Sequence, residues 1–195
     1  QNIDTNQIFI FGHSLGGISA PLIAQVFQPK GVVIYGCGLK PWCDYLLDAT
    51  IIQSLYYGSD LASLRDTVEF IKPTLYEFFY NNKSIDELVK DKTKLRALEL
   101  GMGYNSLTKL AIANRTPQFH KEINQYNLAK AWKNTQSYVL SIYGEADIAA
   151  NNDLDHKEIV RYVNEVHPNK ATYLFTPKTN HTFQEIGTMD DYIKM

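Results

Sequence analysis

The sequence predicts an α/β protein: a parallel sheet whose strands are separated by helices, with a long helical insertion. Three observations carry this. The apolar, β-prone run Gln7–Phe11 ends in Gly12-His13-Ser14-Leu15-Gly16-Gly17, and Ile18 to Phe27 then has the composition of a buried helix. Strand-like runs such as Gly31 to Gly36 are continuously apolar instead of alternating, as suits strands covered on both faces of a parallel sheet. Between Asp44 and Lys130 helix signals dominate without a convincing strand, and β patterning resumes only at Ser137–Tyr143 and Ala171–Thr176.

In chain order, residues 1 to 6 are polar and read as a loop entering the strand Gln7–Phe11. A helix over 15–27 and the Gln28-Pro29-Lys30 turn lead to the second strand. The strand Gln7–Phe11, read as a middle strand, needs two neighbours, and the residues after it supply only one, Gly31 to Gly36. In the insertion, Leu61, Leu64, Val68 and Ile71 mark one helix, and 72–80, opened by Pro73 and dense in aromatics, a separate piece. Ser84 and Glu87 have capping-box spacing for a helix that continues through Leu88, Leu95 and Leu98 and stops near Gly101. After the third strand a helix from about Leu154 to Val166 is expected, with Asp155 and Glu158 placed to cap it. A final strand and a short closing helix complete the chain. The organisation is therefore a core of residues 1–43 and 131–195 around a helical cap at 44–130.

With 195 residues, 45% hydrophobic, 21% charged and a net charge of −2, the chain is long enough for a well-buried core and carries no basic stripe of the kind a phosphate backbone requires. Nucleic acid is excluded as a partner, and with no run of 18 apolar residues so is a membrane span. Neither His-x-x-x-His nor Cys-x-x-Cys spacing occurs, so no metal and no cofactor is expected. Cys37 and Cys43 read as free, packing thiols.

Gly-x-Ser-x-Gly alone arises by chance in roughly one chain in fifteen of this length. Here a strand precedes it and a helix comes after, which is the context the chemistry needs. The chain reverses so sharply that a Cβ at Gly12 or Gly16 is expected to strike its neighbours, and the turn lifts the Ser14 hydroxyl clear of the backbone. Leu15 N–H, at the helix start, points where an oxyanion forms. A serine hydroxyl needs a base, and the base needs an acid to hold its tautomer. Asp147 follows the third strand and His181 the last, so a parallel sheet places both at the carboxyl edge where Ser14 lies. Glu145 shares the loop with Asp147. His13 belongs to the turn itself, whereas His120, His156 and His167 are expected in solvated or capping roles. Trp42, soon after the second strand, is a candidate substrate contact. Tyr56, Tyr57, Tyr76, Phe78, Phe79 and Tyr80 either line an acyl pocket or form core.

Over essentially its whole length the sequence resembles the C-terminal portion of a capped α/β-hydrolase of the serine-aminopeptidase-like and esterase-like branches. Gly12-His13-Ser14-Leu15-Gly16-Gly17 is similar to that family's nucleophile elbow, Tyr143-Gly144-Glu145-Ala146-Asp147 to its acid loop, and Asn180-His181-Thr182-Phe183 to its histidine loop. The resemblance implies a serine hydrolase acting on a carboxylic ester or related acyl bond, with Ser14 as nucleophile, His181 as base, Asp147 as acid and Leu15 N–H as one oxyanion donor. The implied partner is a small-molecule acyl substrate or a short peptide. The same triad serves peptidases and acyltransferases, and a non-catalytic binding domain is a further alternative. The family's His-Gly-type loop, which supplies the second oxyanion donor, has no counterpart here. The N-terminal half of the fold is therefore expected from residues beyond these or from another chain.

Overall fold

A computed structural model describes residues 4–187 and 193. Among them, two compact units are distinguished: residues up to Lys40 together with those from Asn127 on, and Pro41–Tyr126.

The first unit is built on a four-stranded sheet with strand order β1-β2-β3-β4, comprising β1 (Phe9–His13), β2 (Gly31–Tyr35), β3 (Tyr138–Ala146) and β4 (Ala171–Asn180). Every pairing is parallel, so all four strands end at one edge. The connection from β1 to β2 runs through α1 (Gly16–Phe27), and that from β3 to β4 through α8 (Leu154–Val166). Val32, Ile34 and Val139 of the sheet are buried, as are Ala24 of α1, Ile159 and Val163 of α8, and Trp132 of α7 (Leu128–Lys133).

β1 has the single neighbour that the sequence supplies for it. Among the described residues it pairs only with β2, and Phe9 and Phe11 are 60% and 58% exposed. Its apolar run is intact, but nothing in the described chain supplies a second neighbour. β3 and β4 run longer than their apolar cores suggest, and β4 passes through Pro177, which its edge position among the described strands tolerates because none of them needs the missing N–H. The start of α8 also differs. Its N-cap is Asp153, which makes no side-chain capping bond. Asp155 is buried and accepts from Leu39 N–H at 2.8 Å, while Glu158 pairs with Arg161 at 2.7 Å. The closing helix expected at the C-terminus falls largely on residues 188–192, outside the described residues.

The second unit contains α2 (Trp42–Tyr56), α3 (Leu61–Phe79), α4 (Ile85–Leu88), α5 (Lys92–Met102) and α6 (Pro117–Asn124). Its core gathers Cys43, Leu46, Ile71, Leu75, Phe78, Leu98 and Met102. α3 is one helix through Pro73, not two pieces. Proline there removes one backbone bond, and the buried Ile71, Thr74, Leu75 and Phe78 around it hold the helix together. The capping box at Ser84 is formed, with Ser84 N–H donating to Glu87 Oε2 at 2.9 Å and Glu87 N–H to Ser84 Oγ at 3.2 Å. That helix stops after one turn. Asp91 starts a new one by accepting from Thr93 N–H at 2.8 Å, and Gly103, at φ 60°, terminates it. Gly101 lies inside α5, where a Cβ would meet Leu75 Cδ1 at 3.1 Å.

No described helix is long and apolar enough to cross a membrane.

Candidate active site

Ser14 occupies the turn between β1 and α1 at φ 55°, in the left-handed region that costs a non-glycine residue on the order of 1 kcal/mol. Backbone bonds hold it there: Ser14 N–H donates to Tyr35 O at 3.0 Å, and Gly17 N–H to Ser14 O at 2.9 Å. Gly12 is needed as expected, since a Cβ would lie 2.5 Å from Gly16 O. Gly16 is not, because nothing lies within 4 Å of its Cβ position. The second tight glycine is Gly17, whose Cβ would collide with Cys37 Cβ and reach 2.7 Å from its sulfur. Close approach of α1 to the segment after β2, not the turn itself, sets that requirement. Leu15 is the N-cap of α1, and its N–H donates to no group among the described residues.

Parallel topology brings the distant residues to the same edge. Asp147 follows β3 and is fully buried, and His181 follows β4 with its side chain 20% exposed. His181 Nδ1 lies 2.8 Å from Asp147 Oδ1 and 3.0 Å from Oδ2. Oδ1 also accepts from Ala150 N–H at 3.0 Å. A carboxylate can only accept, so Nδ1 carries the proton and Nε2 of neutral His181 is left with a free lone pair. His13, next to Ser14, packs against His181 with ring centres 4.6 Å apart and planes tilted by 41°, and its Nε2 lies 2.7 Å from His181 O. The serine turn and the histidine loop are thus joined directly, although no hydrogen bond links the Ser14 hydroxyl to the imidazole among the described residues.

The loop that presents His181 is organised by the preceding residue. Asn180 is buried, and its Oδ1 accepts from Thr182 N–H, Thr182 Oγ1–H and Gln184 N–H, each at 3.0 Å. Tyr35 O–H donates to Asn180 O, and Phe183 stacks on the Tyr35 ring at 3.7 Å. Glu145 faces elsewhere, its Oε2 accepting from Lys178 N–H at 2.9 Å.

Gly36, just past β2, has φ 59°, and a Cβ there would collide with Asp147 Oδ2 and approach His181 Nδ1 to 2.8 Å. Its only local signal in the sequence is a glycine ending an apolar strand, which does not mark it as a site residue. Gly36→Ala is expected to push the Asp–His pair apart and add left-handed strain. Loss of the His181 Nδ1–H signal near the carboxylate, read by NMR, checks the displacement, together with about 100-fold or greater loss of any activity that depends on the pair.

Behind this edge lies a buried histidine. His156 is fully enclosed, its Nε2 accepts from Cys37 N–H at 3.3 Å, and Nδ1 faces Ser141 Oγ at 2.8 Å. It is neither solvated nor capping, contrary to the expectation for a polar residue near a helix start. Since Nε2 accepts, Nδ1 holds the proton and donates to Ser141. Burial lowers its pKa from 6.5 to about 4, outweighing the opposite pull of Asp147 and Asp153. The unfolded chain therefore takes up a proton on this residue between those two values while the folded chain does not. Stability is expected to fall by about 3 kcal/mol as pH drops from 6.5 to 4, with no contribution above 6.5. Urea midpoints across that range should show the slope, reduced by about one proton in His156→Gln. Burial likewise pushes the Cys37 thiol up, with the Asp155 and Asp147 charges adding to it, so Cys37 packs as a neutral thiol. Cys43 is also free and buried, its pKa raised to about 12 by burial first and Asp44 second.

Trp42 begins α2 in the second unit, stacked between Tyr45 at 4.7 Å and His120 at 5.5 Å, and its indole N–H has no partner among the described residues. His120 is buried too, contrary to the solvated role expected for it, and burial lowers its pKa. Of the aromatic run, Phe78 and Phe79 are core, whereas Tyr56, Tyr57 and Tyr80 are exposed. No group of three or more His, Cys, Asp or Glu residues among the described residues is arranged to hold a metal ion.

No protein-family model and no curated protein matches the sequence. Among solved structures, the chain is similar to an α/β fold family hydrolase from Bacillus anthracis str. Sterne at 19% identity and TM-score 0.49, covering 97% of this chain and 66% of that one. It is similar to a monoacylglycerol lipase from Paleococcus ferrophilus at 14% identity and TM-score 0.49, again with 97% and 66% coverage. An enol-lactonase from Burkholderia xenovorans LB400 is similar at 12% identity and TM-score 0.42, over 88% of this chain and 58% of the lactonase. The chain thus spans less than two thirds of these proteins' lengths. By its own parallel sheet and crossover helices the chain has an α/β architecture, with Ser14 on a sharp turn between the strand β1 and the helix α1.

Proposed function

We propose that this chain carries the catalytic triad of a serine hydrolase that cleaves a carboxylic ester or a related acyl bond. The observation that carries the reading is the buried Asp147 bonded to His181 Nδ1, at the same sheet edge as a serine in a left-handed strand-to-helix turn. In the proposed first step, Ser14 Oγ attacks the acyl carbon as its proton passes to His181 Nε2, and the carbonyl becomes an oxyanion at Leu15 N–H. Asp147 holds the Nδ1–H tautomer and stabilises the imidazolium. Collapse of the adduct expels the alcohol, which takes the proton back from Nε2, and leaves Ser14 acylated. Water repeats the sequence and releases the acid.

One free backbone donor at Leu15 gives the oxyanion part of its stabilisation. A missing second donor typically lowers turnover about 100- to 1000-fold, so measured rates depend on a second donor joining it. The test is covalent labelling by a fluorophosphonate, with the modified peptide mapped by mass spectrometry. Phosphonylation of Ser14 supports the proposal, whereas folded protein that stays unlabelled, or labels elsewhere, overturns it. Parallel assays with an aryl ester and an aminoacyl amide separate esterase from peptidase action, and product analysis with an added alcohol separates hydrolysis from acyl transfer.

A further inference from the structure

The unit Pro41–Tyr126 contains a cavity of about 390 Å³, walled by Phe78 of α3, Ile85 and Asp86 of α4, Tyr104 and Lys109 of the segment after α5, and Lys121 of α6. Lys121 is only 9% exposed. Among the described residues its ammonium has a single polar partner, Lys83 O at 3.4 Å, and it lies 5.2 Å from the centre of the Phe78 ring. No described carboxylate pairs with Lys121 or Lys109. Lys121 is thus a largely buried residue whose ammonium, with three donors, meets one long hydrogen bond and an aromatic face. The ring is worth about 1 to 2 kcal/mol, whereas taking a charge out of water costs several. An anion in the cavity would close that gap.

We infer that this cavity binds a small monocarboxylic acid, its carboxylate on Lys121 and its apolar tail against Phe78, Ile85 and Tyr104. The lining carries two lysines and one aspartate, a balance of one positive charge that suits a monoanion, while Asp86 repels a dianion such as phosphate. A cavity of 390 Å³ lies at the small end of ligand sites, with room for an acid of about ten heavy atoms. The lining, which mixes Phe78, Ile85 and Tyr104 with a few polar and charged side chains, has the make-up of such a site. This inference does not rest on the reading of Ser14.

Calorimetric titration of the protein with hexanoate, hexan-1-ol and inorganic phosphate tests it. Hexanoate is expected to bind at least tenfold more tightly than either of the others. Lys121→Met, which keeps the length and apolar stem but removes the charge, is expected to weaken hexanoate at least tenfold. Ile85→Trp, which keeps the lysine and fills the cavity, is expected to do the same, and thermal melting establishes that each variant is folded. Equal binding of hexan-1-ol or phosphate, unchanged hexanoate affinity in the folded variants, or no binding of hexanoate at millimolar concentration overturns the inference.

Discussion

Replacing Ser14 by alanine is expected to abolish fluorophosphonate labelling and to lower ester turnover about 10⁶-fold, the scale at which removing a triad nucleophile acts. The substitution removes one oxygen and leaves the backbone arrangement available: Ser14 N–H still reaches Tyr35 O, Gly17 N–H still reaches Ser14 O, and alanine meets the same strain at φ 55° that serine does. The hydroxyl has no hydrogen-bond partner among the described residues, so no buried group is orphaned by its loss. Melting temperature should therefore hold within a few degrees while activity disappears, and that separation assigns the effect to chemistry. A variant that still turned over ester within tenfold of the parent would mean that another nucleophile acts, and the proposed function would fall with it.

How much of the molecule is legible in the sequence depends on how local each requirement is. The serine turn can be read because everything it needs lies within a few residues: an apolar strand, a glycine beside the turn and a helix start. Asp147 and His181 can be placed because parallel topology converts position after a strand into position at one edge, whatever the separation along the chain. Requirements set by distant contacts are not legible. Gly36 is needed because Asp147 and His181 crowd it, and Gly17 because the segment at Cys37 passes close by, whereas Gly16, which the pattern singles out, meets nothing. His156 has an ordinary helical, polar context in sequence, yet its ring is enclosed between Cys37 N–H and Ser141 Oγ. Helix ends depart from expectation where propensity and capping disagree. Leucines continue past Leu88, but Asp91 offers its carboxylate to two backbone N–H groups and starts a new helix there. The apolar pattern of β1 suggests a strand covered on both faces, whereas Phe9 and Phe11 are exposed, because cover comes from distant segments that a local run of residues does not specify.

Asp147→Asn is expected to lower kcat about 10⁴-fold near neutral pH while changing KM little, a barrier increase of about 5.5 kcal/mol. The amide is nearly the same size and fits the buried site, so the loss comes from its hydrogen-bonding pattern and charge. Asp147 Oδ1 meets both His181 Nδ1 at 2.8 Å and Ala150 N–H at 3.0 Å, and Oδ2 meets Nδ1 at 3.0 Å. An asparagine has one acceptor oxygen, and keeping it on Ala150 N–H favours turning the NH₂ group toward the ring. Nδ1 must then accept, which moves the imidazole proton to Nε2 and removes the lone pair that would take the Ser14 proton. The negative charge that would stabilise the imidazolium is lost as well. Phosphonylation of Ser14 draws on the same base, so its rate should fall in parallel with turnover, and NMR should show the imidazole tautomer reversed. A merely structural role for Asp147 would instead lower the melting temperature and leave the tautomer of the folded fraction unchanged. Glu145 cannot substitute from where it stands, because its carboxylate is held on Lys178 N–H of β4. If Asp147→Asn retained turnover within tenfold, the acid of the triad would have to be sought outside this loop.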